Sequence, residues 1–187
     1  MLYVRYLSIL LLSFSVNSVL HAGEIKFTKT VTLQSPSGES IDIANIQMTR
    51  ESSGGFSYQL DIDNSKFGDY FLSMRPFKCF QGPIQMLCHL PYPYQKNQKI
   101  TANDLKDLEY DLLFIHRKST DYGINPWNGV YYKLTLGQDN NLSGVMKEVN
   151  LDILASPPEG GVTRPITDMD MHEADPDSHS YPFVVIK

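Results

Sequence analysis

Two stretches carry side chains whose types and spacing suit chemistry. The first is the tail run Asp168, Asp170, His172, Glu173, Asp175, Asp177 and His179. Carboxylate oxygens and imidazole nitrogens together are ligands for a divalent metal. The spacing fits neither a calcium loop, which needs its central Gly and terminal Glu, nor the His-Glu-x-x-His helix. A solvated acidic loop is the plainer reading, because runs of like charge usually face water. Asp168, Asp170, His172, Glu173 and His179 stand as the candidate metal ligands, and a divalent metal is the one cofactor the sequence suggests.

The second stretch is the loop carrying Asp121, Tyr122, Asn125, Trp127 and Asn128, with Tyr131 just beyond it. Aromatic faces beside amides and a carboxylate offer stacking together with oriented hydrogen bonds, which a sugar or a peptide requires. The competing expectation is that Trp127 plugs the end of a barrel, and the large area an indole buries favours it. His116-Arg117-Lys118 is the densest positive spot and reads as a solvated strand end. There is no Gly-x-Ser-x-Gly elbow, no Gly-rich phosphate loop and no His-Glu-x-x-His, so the reading inclines away from an enzyme.

The elements that must position these residues are mostly strands. Ile25, Phe27, Val31 and Leu33 share one parity, the mark of a half-buried strand. Ile41 and Ile43 lie on one parity and Ile46 and Met48 on the other, so a bulge is expected near Ala44-Asn45. Phe56, Tyr58, Leu60 and Ile62 alternate cleanly, and turn formers separate the three runs, which predicts a meander. Pro76 limits the next strand to an edge or to irregular pairing. Asn103 suits an N-cap, and Leu105 with Leu108 suits one short helix over 103–109. Tyr110–Ile115 is apolar on both parities and reads as a strand buried on both faces. Val130, Tyr132, Leu134 and Leu136 predict a strand, and a polar turn sends it back through Val145 and Val149. Residues 156–180 are acidic and rich in His and Pro, and Phe183–Ile186 is a terminal strand able to dock on the sheet. The fold class that follows is mainly β and antiparallel, a sandwich or small barrel with one short helix.

Residues 1–22 have the form of a secretory signal peptide. Arg5 precedes the apolar run Leu7–Leu20, and Ala22-Gly23 offers a small-residue cleavage site. The run falls short of the roughly 20 residues that span a bilayer. Residues 23–187 are then a single β-rich domain, periplasmic or secreted, with no transmembrane span after cleavage. Without Arg5, 15 basic residues stand against 21 acidic ones, a net charge of −6. That balance excludes nucleic acid as a natural partner. Cys79 and Cys88, an even pair in an exported chain with Gln81-Gly82-Pro83 between them, are expected to form a disulfide across a tight turn.

Met74–Cys79 (MRPFKC) and Asp121–Tyr132 (DYGINPWNGVYY) resemble a family of small exported bacterial proteins of unknown function. The resemblance implies export and carries no activity and no functional residue. Three functional readings follow for such a chain. The leading one is a non-enzymatic binding domain that engages a small ligand, glycan or envelope protein through its aromatic loops, in the manner of an inhibitor or immunity protein. The others are an envelope hydrolase, metal-dependent or not, using the tail His and Asp residues, and a cell-envelope structural or assembly factor pairing through edge strands.

Overall fold

The computed structural model describes residues 25–73, 76–157 and 159–187. The signal segment 1–22 lies outside the described residues, as do Met74 and Arg75 of the first resembling motif. The strands are β1 (Lys26–Gln34), β2 (Ser40–Arg50), β3 (Phe56–Ile62), β4 (Gly68–Phe71), β5 (Pro76–Gln81) and β6 (Met86–His89). They continue as β7 (Lys99–Ile100), β8 (Phe114–Arg117), β9 (Gly129–Leu136), β10 (Leu142–Val149), β11 (Met171–Glu173) and β12 (Phe183–Ile186), with one α-helix among the described residues, α1 (Lys106–Asp111). All belong to one sheet in the order β4-β5-β6-β8-β9-β10-β12-β1-β2-β3-β7, with β11 beside β10. Every pairing is antiparallel. The two ends of the sheet do not meet, so the body is an open, sandwich-like sheet and not a closed barrel.

Alternation along the strands decides how this sheet curls. Val31, Leu33, Ile46 and Met48 from β1 and β2 pack in one cluster with Phe114, Val130, Tyr132 and Met146 from β8 to β10. Strands far apart in the sheet order share one core, so the sheet folds over on itself to bury that face. Burial of each such side chain contributes about 1.5–3 kcal/mol. The opposite parity of the same strands, Ile115, Tyr131 and Val149, meets a second cluster completed by Tyr92, Tyr110, Leu151 and Ile166. The prolines around Tyr92 hold that ring over Tyr110, with centroids 4.6 Å apart, so it covers the outer face of the sheet. The chain end is built in as well: β12 lies between β10 and β1.

Several local expectations shift by a residue or more. The bulge falls at Ile43, because Val31 pairs with Ala44 and Thr32 with Asp42. Val145, one of the apolar residues that mark the return strand, is 45 % exposed, while Leu142, Gly144 and Met146 face the core. A one-residue slip in parity exchanges the faces of a strand, and here a glycine on the buried face hid the true alternation. Tyr110 and Asp111 close helix α1, leaving only Phe114–Arg117 extended. An unbroken apolar run does not distinguish a buried helical turn from a buried strand. Helix α1 begins at Lys106, later than an Asn103 cap implies; Asp104 instead accepts from the Lys106 N–H at 3.1 Å. Pro76 opens β5 opposite Phe71 of the edge strand β4, where its missing N–H costs little.

Helix α1 is fixed to the sheet by its acidic residues. Glu109, buried, accepts from the Tyr131 hydroxyl and from the Leu134 N–H at 2.8 Å. Asp111 accepts from the Tyr58 hydroxyl at 2.7 Å and pairs with Lys96 at 2.9 Å. Burial and these carboxylates hold the Tyr58 and Tyr131 hydroxyls protonated far above the usual phenol range. Cys79 and Cys88 stand directly opposite each other in β5 and β6 and are joined by a disulfide. No helix among the described residues is long and apolar enough to cross a membrane.

Candidate functional site

The loop between β8 and β9 is held by local bonds that leave its large rings outside. Asp121 accepts from the Lys118 N–H at 2.9 Å, and the buried Arg117 guanidinium donates to the Asp121 carbonyl. Asn125 accepts from the Trp127 N–H at 3.1 Å, and Pro126 starts the single 3-10 turn Pro126–Asn128. At Gly129 any Cβ would stand 2.3 Å from the Val149 carbonyl, so glycine lets the loop close tightly onto β10. The outcome is that Trp127 is 68 % exposed and Tyr122 fully exposed. The expected plug is therefore absent, because the turn set by Asn125 and Pro126 leaves the indole in solvent. Of the six residues read from sequence, Asp121, Tyr122, Asn125 and Trp127 are exposed and Asn128 is half-buried. Tyr131 is fully buried on Glu109 and lines no part of the loop's surface.

Beside this loop an apolar groove of about 230 Å³ runs between Phe77, Leu90, Ile115, Ile124, Pro126 and Leu154, with Asp152 at its margin. Its walls come from β5, the proline segment after β6, the aromatic loop and the 3-10 turn Leu151–Leu154.

The tail candidates are scattered. Asp168 pairs with Lys133 at 3.2 Å, and Glu173 pairs with Lys147. Asp170 accepts from the Thr167 hydroxyl and N–H, bonds that hold its carboxyl below the usual carboxylate range. Asp168, Asp170 and Glu173 serve surface pairs and a turn, His172 is exposed on β11, and only His179 of the five belongs to a convergent group of potential ligands among the described residues.

That group is His116, Glu148 and His179, and strand parity explains it. Leu87, Phe114, His116, Val130, Tyr132, Met146 and Glu148 all fall on the inward parity of their paired strands, and Gln85 lies in the turn just before β6. The apolar members fill the core, and the polar ones form its end. His179 is 3 % exposed. Its Nε2 lies 3.0 Å from Glu148 Oε1, its Nδ1 lies 2.7 Å from the Gln85 amide, and its ring meets His116 edge-on at 5.0 Å. Burial, reinforced by the neighbouring His179, pushes the His116 imidazole below its ordinary pKa.

Ser180 places this corner. Its hydroxyl accepts from the Ile84 and Gln85 N–H groups at 3.0 and 2.8 Å and donates to the Gln85 carbonyl at 3.0 Å. A Cβ at Gly82 would lie 2.5 Å from that serine, so the turn between β5 and β6 needs glycine to receive it. Sequence reasoning missed Gln85, His116 and Glu148. His116-Arg117-Lys118 is not the solvated strand end expected, since Arg117 is buried, His116 half-buried and only Lys118 exposed. The signal was a parity that puts Glu148 in step with Met146, which the exposed Val145 concealed.

The fold and its two sites define a class: an open antiparallel β domain with a disulfide-bonded hairpin and aromatic residues displayed on a tethered loop. No family model, curated protein or solved structure matches the chain.

Proposed function

We propose that this is an exported binding domain, periplasmic or secreted, and that it docks an apolar segment of an envelope protein on the Tyr122–Trp127 loop and the adjoining groove. The observation that carries this reading is the exposure of Trp127 on a loop with at least four internal bonds. Trp and Tyr are the residues that most often anchor protein interfaces, and holding them in place beforehand lowers the ordering cost of binding.

The chemistry of the groove supports a protein segment over the other expected ligands. At about 230 Å³ it is smaller than the roughly 300–1,000 Å³ of pockets that enclose small molecules. A glycan needs several polar groups converging beneath its ring, whereas this groove offers hydrocarbon walls and Asp152. An inhibitor or immunity-type role against an envelope enzyme suits such a surface.

The test places the photo-crosslinking residue benzoylphenylalanine at position 122 in cells that export the protein. A discrete protein adduct that disappears in Trp127→Ala supports the reading. No adduct, or a Trp127 fluorescence response to cell-wall glycan fragments alone, overturns it.

A further inference from the structure

We infer that His116, Glu148 and His179 form a binding site for a divalent transition metal with the size and ligand preference of zinc. The three ligand atoms lie within 4.8 Å of one another. Ligands bound tetrahedrally at about 2.1 Å stand roughly 3.4 Å apart. His179 and Glu148, at 3.0 Å, already meet that spacing. Bringing all three from within 4.8 Å to that spacing is a contraction of up to about 1.4 Å, shared between the Glu148 side chain, which is 44 % exposed and able to turn, and the half-buried His116.

The surroundings have the features of a built site. His116 and Glu148 sit on β8 and β10, two strands that flank β9; Glu148 is paired on both sides, with Val130 and His172, and His116 is paired with Leu87 of β6. His179 is buried and oriented through Nδ1 by Gln85, leaving Nε2 to face Glu148. Metal-bound histidines donate their second ring N–H to an acceptor; here Gln85 Nε2 faces Nδ1, so the Gln85 amide turns over to present its oxygen to an Nδ1–H when the metal replaces the proton on Nε2. Gln85 is itself held by the Ser180 hydroxyl on both its N–H and its carbonyl. Two layers of bonds therefore aim a single ring nitrogen at a carboxylate.

The donor set selects the ion. Two imidazoles and one carboxylate suit zinc and its transition-metal neighbours. Calcium takes six or more oxygens, and the group offers a single carboxylate. Three protein ligands also leave one position open to water or to a group from a partner. His172 stands across from Glu148 in the β10–β11 register, yet it is not among the converging donors.

Calorimetric titration of the purified protein, disulfide intact, with zinc chloride tests the site. One saturable equivalent is expected, with a rise in melting temperature and no heat from calcium. Glu148→Gln and His116→Gln should each weaken zinc at least tenfold while keeping the parent circular dichroism, and His172→Gln should bind like the parent. His179→Gln should abolish binding; if it does not fold, the Glu148 and His116 variants decide. The inference is overturned by the absence of a saturable event, by unchanged affinity in both Glu148→Gln and His116→Gln, or by an equal loss in His172→Gln.

Discussion

The loop between β8 and β9 and the polar end of the core depart from the usual partition of residues in opposite senses. The loop holds an indole and a phenol in water, at 68 % exposed for Trp127 and fully exposed for Tyr122. The core end holds an imidazole, at 3 % exposed for His179, between a glutamine and a glutamate. Both begin at β8, where His116 turns inward and Arg117 tethers the loop. Exposed apolar surface has an intermolecular purpose when it has one, because water alone gives no reason to keep it. Buried polar groups are different, since each must be satisfied within the fold. Loss of a loop side chain should therefore change what the protein binds, whereas loss of a core-end side chain should also change how firmly it folds.

The sharpest way to break this contrast is to compare aromatic residues five apart. Tyr132→Ala removes a fully buried ring and its bond to the Tyr181 carbonyl, and should cost about 4 kcal/mol in urea unfolding. Trp127→Ala should stay within about 0.5 kcal/mol of the parent. A loss above about 2 kcal/mol for Trp127→Ala would mean the indole supports the fold and the contrast is false.

The next effect is that of the disulfide under the groove. The residues it joins are nine apart, and on the chain-entropy model so small a loop is worth about 2.5 kcal/mol. The double variant Cys79→Ser/Cys88→Ser should show that loss in chemical denaturation. A loss near zero would show that the ladder between β5 and β6 holds the hairpin unaided.

His179→Ala leaves the Gln85 amide without its partner in the interior and should cost about 2 kcal/mol. Asp168→Ala, which removes one surface ion pair, should be nearly silent in the same measurement. Equal effects would erase the distinction between the core end and the tail surface.

The smallest effect is a pH dependence. Burial outweighs the attraction of Asp111 and holds His89 below its ordinary pKa, with Nε2 2.9 Å from the Asp111 carbonyl. The unfolded chain then binds the proton more readily, so stability is full above the unfolded value of about 6.5 and declines as pH falls below it. Melting temperature followed from pH 8 to 5 should drop in the lower half, and His89→Gln should flatten that drop. A melting temperature that rises on acidification in this range would reverse the assignment.

Much of the scaffold was legible without coordinates. Phe56 to Ile62 alternates strictly, and Phe27, Val31 and Leu33 share one parity interrupted only by Lys29, so each reads as a strand with one face buried. The pairing of Cys79 with Cys88 followed from their number and the turn between them. The candidate sites were less legible. The exposure of Trp127 depended on Asn125 and Pro126 setting a single turn, which composition does not reveal. The tail acids looked like a ligand set because they are neighbours in sequence. In space Asp168 and Glu173 reach for Lys133 and Lys147, and only His179 turns inward.

What the chain alone determined is local: the period of its strands, the places where it must turn and the cysteine pair. Those follow from interactions among near neighbours, which a linear reading contains. The tertiary structure alone decided that Glu148, His116 and His179, up to 63 residues apart in sequence, end side by side. That meeting depends on the register of β8, β9 and β10 and on Ser180 clamping a distant turn. Register is a property of paired strands, because the same side chain faces core or water according to which neighbour lies across from it.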